Sequence, residues 1–241
     1  MVPGPHALTG RLSKIMQRVI TLLVILFSLP VTASEPLRVA VAANFRGTLD
    51  TLNAQYTRQT GQRILVSSAS SGALANQVIH GAPFDLFFSA DKATPEKLVQ
   101  QGYGMQSQCY ARGSMVLAGG DLSALSNPEL TLAIANPATA PYGRAAMEVL
   151  ARPGYDSERP LVRGNNVLQA FQFWRAGAVD LALVAKALAP NATPVPAQWY
   201  QPLDQHLAIL RDSPEARAYL QWLGSDTVRQ MINNAGYLPC P

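Results

Sequence analysis

The sequence predicts an α/β protein of two lobes, and three observations predict it. Strand, short loop and helix alternate along the chain, the pattern of parallel strands covered by helices. The pattern pauses near residue 117 and then restarts, so two α/β units lie in series. The two cysteines, Cys109 and Cys240, bracket the second unit and the C-terminal return. A bond between them would tie the C-terminus back to the first unit and make that lobe discontinuous. In open α/β folds ligands sit at the carboxyl ends of strands, which for two facing lobes is the cleft between them.

The N-terminus indicates the compartment. Arg11, Lys14 and Arg18 precede the apolar run from Val19 to Phe27, followed by Pro30 and Val31-Thr32-Ala33. A positive start, an apolar middle and a small-residue end read as a signal peptide cut after Ala33. The run is shorter than the roughly 20 residues a membrane span needs. Met16 is a second candidate start. Residues 1–33 hold three of the 19 Lys and Arg and none of the 15 Asp and Glu, so the remainder is nearly neutral. The formal charge of +4 therefore argues for no polyanionic partner, and no basic stripe with aromatics indicates nucleic-acid binding. At 48% hydrophobic residues the chain can fill real cores. There is no Cys-x-x-Cys and no Cys/His cluster of metal-site spacing. In an oxidising compartment Cys109 and Cys240 suggest one disulfide; two buried thiols are the alternative that spacing leaves open.

The elements follow in order. Leu37 to Ala42 reads as a strand, and Phe45, Leu49, Leu52 and Tyr56 then recur at helical spacing up to Gly61. Ile64-Leu65-Val66 is a second strand. Ser70-Ser71 precedes a short helix through Leu74 and Val78, with His80 at its end beside Gly81. Asp85 to Phe88 is a buried strand, and Thr94-Pro95 opens a helix. One strand runs from about residue 109 to 117. Leu130 to Ala135 is a strand, residues 136–141 a loop and 143–151 a helix. Asn165-Asn166 caps a helix carrying Val167, Ala170, Phe171 and Trp174. Leu181 to Ala185 is a strand, residues 190–202 a loop, and a strand near Leu207 precedes two closing helices.

Four strand-to-helix junctions share one chemistry: Asn44, Ser70-Ser71, Tyr142-Gly143 and Asn166-Val167. Each offers neutral donors and first-turn N–H groups that lack intrahelical partners, where the helix dipole favours an anion. Any one of them alone is an ordinary N-cap. Converging from two lobes, they would make an anion site without lysine or arginine.

The wording of these segments resembles the periplasmic molybdate-binding proteins of molybdate ABC transporters. The run Val39 to Phe45 is similar to their first anion-binding turn. Ser68 to Ala75, followed by Gly81 to Asp91, is similar to the family's most specific block. Asn136-Pro137, Ala140 to Gly143 and Asn166-Val167 are similar to the second-lobe loops. The resemblance spans the chain beyond the signal region. It implies a type II periplasmic-binding-protein fold, with lobe 1 made of residues 34–111 and 205–241 and lobe 2 of 112–204. It implies molybdate or tungstate as ligand, an inner-membrane ABC permease as partner, a soluble periplasmic monomer, and no cofactor. It implies Asn44, Ser71, Tyr142 and Val167 as ligand contacts, with Ala43, Ser70, Asn166 and Ala185 as further candidates. Asn44 stands where many members have Ser, and Ala185 where some have Tyr. Tyr142 would then supply the missing hydroxyl. Donor chemistry suits a deprotonated dianion, because the proton of monohydrogen phosphate would be left unpaired at a cost of about 1–3 kcal/mol.

Two rivals remain on sequence grounds. Ser89-Ala90-Asp91-Lys92 fits the S-x-x-K of serine hydrolases, but the partner motifs S-D-N and K-T-G are absent. The same fold could instead bind sulfate, phosphate or a small organic anion. Arg144, one residue past Gly143, could point either way, and a tryptophan could line a sugar site.

Overall fold

The computed structural model describes residues 35–241, so the expected signal segment lies outside the described residues. A first sheet contains β1 (Leu37–Ala42), β2 (Ile64–Ala69), β3 (Leu86–Phe88), β4 (Gln106–Gly113) and β10 (Leu203–Ile209). Its order is β2-β1-β3-β10-β4. A second sheet contains β5 (Met115–Ala118), β6 (Leu132–Ala135), β7 (Leu161–Gly164), β8 (Leu181–Ala185) and β9 (Thr193–Pro194). Its order is β7-β6-β8-β5-β9.

Helices α1 (Arg46–Thr60), α2 (Ser71–Ile79), α3 (Ala93–Gln100), α6 (Pro214–Leu223) and α7 (Asp226–Asn234) accompany the first sheet. Helices α4 (Pro141–Leu150) and α5 (Val167–Arg175) accompany the second. Side chains alternate across a strand. Val39 and Val41 of β1 therefore pack with Leu49 of α1 and Tyr219 of α6, while Ala40 packs with Leu74 of α2 and Leu98 of α3.

The expected parallel order holds only in part. β1 is parallel to β2 and β3, and β6 to β7 and β8. However, β10 is antiparallel to β3 and β4, and β5 to β8 and β9. These strands enter by crossing between sheets rather than through a covering helix, which a parallel neighbour would need. The single strand expected near residues 109–117 is two, broken at Ser114 as the chain passes from one sheet to the other. The expected 190–202 loop contains β9 and a 3-10 turn, Ala197–Trp199. β7 went unread because four residues after an irregular Pro/Gly stretch carry little periodicity.

Cys109 of β4 is bonded to Cys240, 131 residues away. Beside it Arg112 and Leu238 exchange backbone hydrogen bonds of 2.8 Å in each direction. The C-terminus thus extends the first sheet at the edge where the chain leaves for the second.

Candidate functional site

One small cavity lies where the carboxyl ends of five strands meet. It is lined by Ala42, Ala43 and Asn44 after β1, Ser70 and Ser71 after β2, and Ala90 after β3. From the second sheet come Ala140, Pro141 and Tyr142 after β6, and Asn166 and Val167 after β7. Seven of the eight candidate residues from the sequence therefore line one space. Ala185 does not; it is fully buried in the second core as the last residue of β8. The cavity is small, about 10 Å³, far below the roughly 300–1,000 Å³ of drug-sized sites. Larger, mostly apolar cavities lie beside the disulfide and beside Trp174, away from these strand ends.

Local sequence explains each junction. Ser70 is the N-cap of α2 without a side-chain capping bond, and Ser71 is the first helical residue. Helix α4 starts at Pro141, two residues before the expected Gly143, because proline needs no hydrogen-bond partner at a first helical position. Asn166 caps α5, its side chain accepting the Gln169 N–H at 3.0 Å. Among the described residues, the backbone N–H groups of Asn44, Ser71, Tyr142 and Val167 have no hydrogen-bond partner. Three of these open helices of nine or ten residues, so the dipoles add to the donor character.

The side chains are prepared in the same sense. Ser71 Oγ accepts the Ala90 N–H at 2.9 Å, which leaves its proton free to donate. Tyr142 is 1% exposed, and its hydroxyl accepts from Gln205 Nε2 at 3.4 Å. Burial, reinforced by Tyr237 and Tyr200, pushes the Tyr142 hydroxyl well above its ordinary pKa, so it stays a neutral donor. Asn44 differs from expectation. Its Nδ2 donates to Gln205 Oε1 at 2.9 Å and to Tyr237 at 3.3 Å, and its Oδ1 is buried without a partner among the described residues. The backbone N–H is the donor that Asn44 leaves unpaired.

No Asp, Glu, Lys, Arg or His lines the cavity. Arg144 turns away to pair with Asp91 across the cleft. A second link across the cleft is backbone to backbone, Gly72 N–H to Thr139 O at 2.9 Å. A Cβ on Gly72 would stand 3.0 Å from that oxygen, so the close approach needs glycine. Ser89 is fully buried and donates to Asp91 at 2.9 Å, while Lys92 pairs with Glu96 at 3.6 Å. The lysine of the S-x-x-K motif is thus paired with a carboxylate, and the serine hydroxyl is hydrogen-bonded to Asp91 rather than to that lysine. His80 contacts Asn76 O at 2.7 Å at the end of α2. Trp174, Trp199 and Trp222 pack with Phe171, Tyr155 and Tyr219, and none lines the cavity.

Residues 37–238 match the family described as bacterial extracellular solute-binding protein. The molybdate-binding protein ModA of Azotobacter vinelandii is 34% identical over 83% of this chain and 88% of its own length. The chain belongs to the ModA family of bacterial extracellular solute-binding proteins. ModA of Rhodobacter capsulatus is 33% identical over 90% of this chain and 93% of its own. The solved structure of the Azotobacter vinelandii periplasmic molybdate-binding protein superimposes with a TM-score of 0.79, covering 85% of this chain and all of that one. The two-sheet architecture is therefore the ModA fold, the two-lobe periplasmic-binding-protein arrangement.

Sequence reading missed the buried Gln205 and Tyr237 and the partly buried Tyr110, the polar residues behind the site. A signal was present for one of them. Leu203, Gln205 and Leu207 occupy the inward beat of β10, where a glutamine is out of place. Starting that strand near Leu207 hid it.

Proposed function

We propose that this ModA-family protein captures molybdate, or tungstate, in the inter-lobe cavity and delivers it to an inner-membrane ABC permease. The observation that carries this reading is a small cavity whose wall carries four free backbone N–H groups and the hydroxyls of Ser71 and Tyr142, without one charged side chain. The first lobe, residues 34–111 and 205–241, contributes Asn44 and Ser71; the second, 112–204, contributes Tyr142 and Val167. All four give backbone N–H groups, and Ser71 and Tyr142 add hydroxyls. Ala43, Ser70 and Asn166 shape the wall. A dianion that only accepts fits this set of N–H and O–H donors. Links between the lobes, Gly72 with Thr139 and Arg144 with Asp91, favour a closed form that the anion would complete.

The chain acts as a periplasmic monomer after cleavage following Ala33, by binding rather than catalysis and without a cofactor. Among the described residues no helix is long and apolar enough to cross a membrane. Calorimetric titration with molybdate, tungstate, sulfate and phosphate at fixed salt tests the reading. One-to-one heat with the first two is expected. Heat with sulfate or phosphate alone would reassign the ligand, and silence with all four would overturn the oxyanion reading.

A further inference from the structure

We propose that Gln205, which does not line the cavity, is the positioning residue that makes Tyr142 a donor toward the anion. The inference rests on the oxyanion reading above and goes further, to how the polarity of the site is set. Gln205 is fully buried on β10 and joins groups from three segments. Its Oε1 accepts from Asn44 Nδ2 at 2.9 Å and from the Tyr110 hydroxyl at 2.8 Å. Its Nε2 donates to the Tyr142 hydroxyl at 3.4 Å. Tyr110 shares its proton between Gln205 and Ser89 O, the latter at 3.0 Å.

A hydroxyl has one proton. When an N–H donor occupies its lone pair, that proton must point elsewhere, and for Tyr142 the cavity is what remains. A carboxamide offers acceptor and donor at one end of one side chain. An ionised carboxylate cannot donate, and lysine or arginine cannot accept, so neither could hold Asn44 and Tyr110 while directing Tyr142. The backbone is shaped for this contact. The β10–β4 register shifts between Gln205 and His206, so that Tyr110 is the extra residue opposite them. Such bulges re-aim side chains next to sites. Gly113, at the end of β4, has no side chain because a Cβ there would stand 2.2 Å from the Tyr142 hydroxyl and 2.5 Å from Gln205 Nε2. Gln205 belongs to the first sheet and Tyr142 to the second lobe, so the donor is directed only when the lobes are together.

Gln205→Glu replaces the amide with a group that donates when protonated and not when ionised. The titratable groups facing it are Tyr110, Tyr142 and Tyr237, all held neutral by burial. Asp91 acts on Tyr110 from the β3 side, and Asp204 beside it is paired with Arg112. Burial pushes a carboxyl upward, toward neutral pH.

The experiment is calorimetry of the full mature protein with molybdate, tungstate, sulfate and phosphate between about pH 6 and 9. Wild type, Gln205→Glu and Gln205→Met are compared, with thermal melts as a check of folding. Wild type should bind molybdate with a flat pH profile. Gln205→Glu should weaken by about tenfold or more as pH rises, with a proton taken up on binding. Gln205→Met should be about tenfold weaker at every pH. A merely structural role would not create a pH profile. A Gln205→Glu protein as tight and as flat as wild type overturns the proposal. If that variant does not fold, wild-type affinity in Gln205→Met overturns it. Wild type that binds sulfate or phosphate instead breaks only the choice of ligand, and the Gln205 comparison is then read with that anion. Binding of none of the four overturns both.

Discussion

The two lobes build their cores from different materials. In the first, Phe45 stacks on Phe88 at 6.0 Å and meets Tyr110 and Tyr237, while Tyr56, Tyr219 and Trp222 form a second aromatic group. A disulfide ties its returning C-terminus. The second lobe relies on small aliphatic strands, Met115–Ala118, Leu132–Ala135 and Leu181–Ala185, all buried. Small residues let the helices come close. A Cβ on Gly143 would lie 2.3 Å from Ala135 O, and one on Gly164 2.7 Å from Ala170 N. That closeness brings the first turns of α4 and α5, with their free N–H groups, to the cavity. The first lobe instead packs large rings behind its half of the site and directs donors with buried polar groups.

The largest expected effect separates the lobes through the disulfide. Reduction, or Cys240→Ser, should lower stability by about 2–5 kcal/mol, read as a shift in the urea midpoint. Exchange protection should fall in α6, α7 and β4 before it falls in the second sheet. An unmoved midpoint would deny the bond its stabilising role.

Next is the pair of hydroxyls. Ser71→Ala should weaken molybdate binding by roughly 10–100-fold, since a hydrogen bond to a charged group contributes about 1.5–3 kcal/mol. It also strands the Ala90 N–H, so its loss should exceed that of Tyr142→Phe. The reverse order would place the greater share of the donation in the second lobe.

Alkaline pH sharpens the contrast again. Burial raises the hydroxyls of Tyr110, Tyr219 and Tyr237 in the first lobe, and Tyr142 and Tyr200 in the second. A group whose folded pKa is raised contributes stability present below its unfolded value, near 10, and lost as pH rises toward the folded one. Stability should therefore hold to about pH 9.5 and fall beyond it. Tyrosinate absorbance should appear together with unfolding; titration of these phenols in a protein still folded would contradict the burial argument.

The smallest effect belongs to the cross-lobe ion pair. With Arg144 half exposed, Arg144→Ala should cost about 0–1 kcal/mol of closure, a few-fold in affinity that fades as salt is raised. A tenfold loss unaffected by salt would show that Arg144 reaches the anion.

Much of this was readable along the chain. Strand-to-helix junctions are local events, so Ser71, Tyr142 and Val167 could be placed at helix starts from capping residues, proline and periodicity alone. The small cavity they share depends on sheet order, and Ala185 falls outside it because β8 ends inside the second core. Gln205 could not be assigned a role from its neighbours, because its partners Asn44, Tyr110 and Tyr142 lie 161, 95 and 63 residues away.

The sequence by itself determined the two α/β units and the neutral donors at four junctions, since these follow from side-chain period and backbone chemistry within a few residues. Only the tertiary structure decided the antiparallel crossing strands, the direction of Arg144 and the amide that turns the Tyr142 proton. Those outcomes depend on which distant groups share a hydrogen bond, and a hydrogen bond is set by distance in space rather than by separation along the chain.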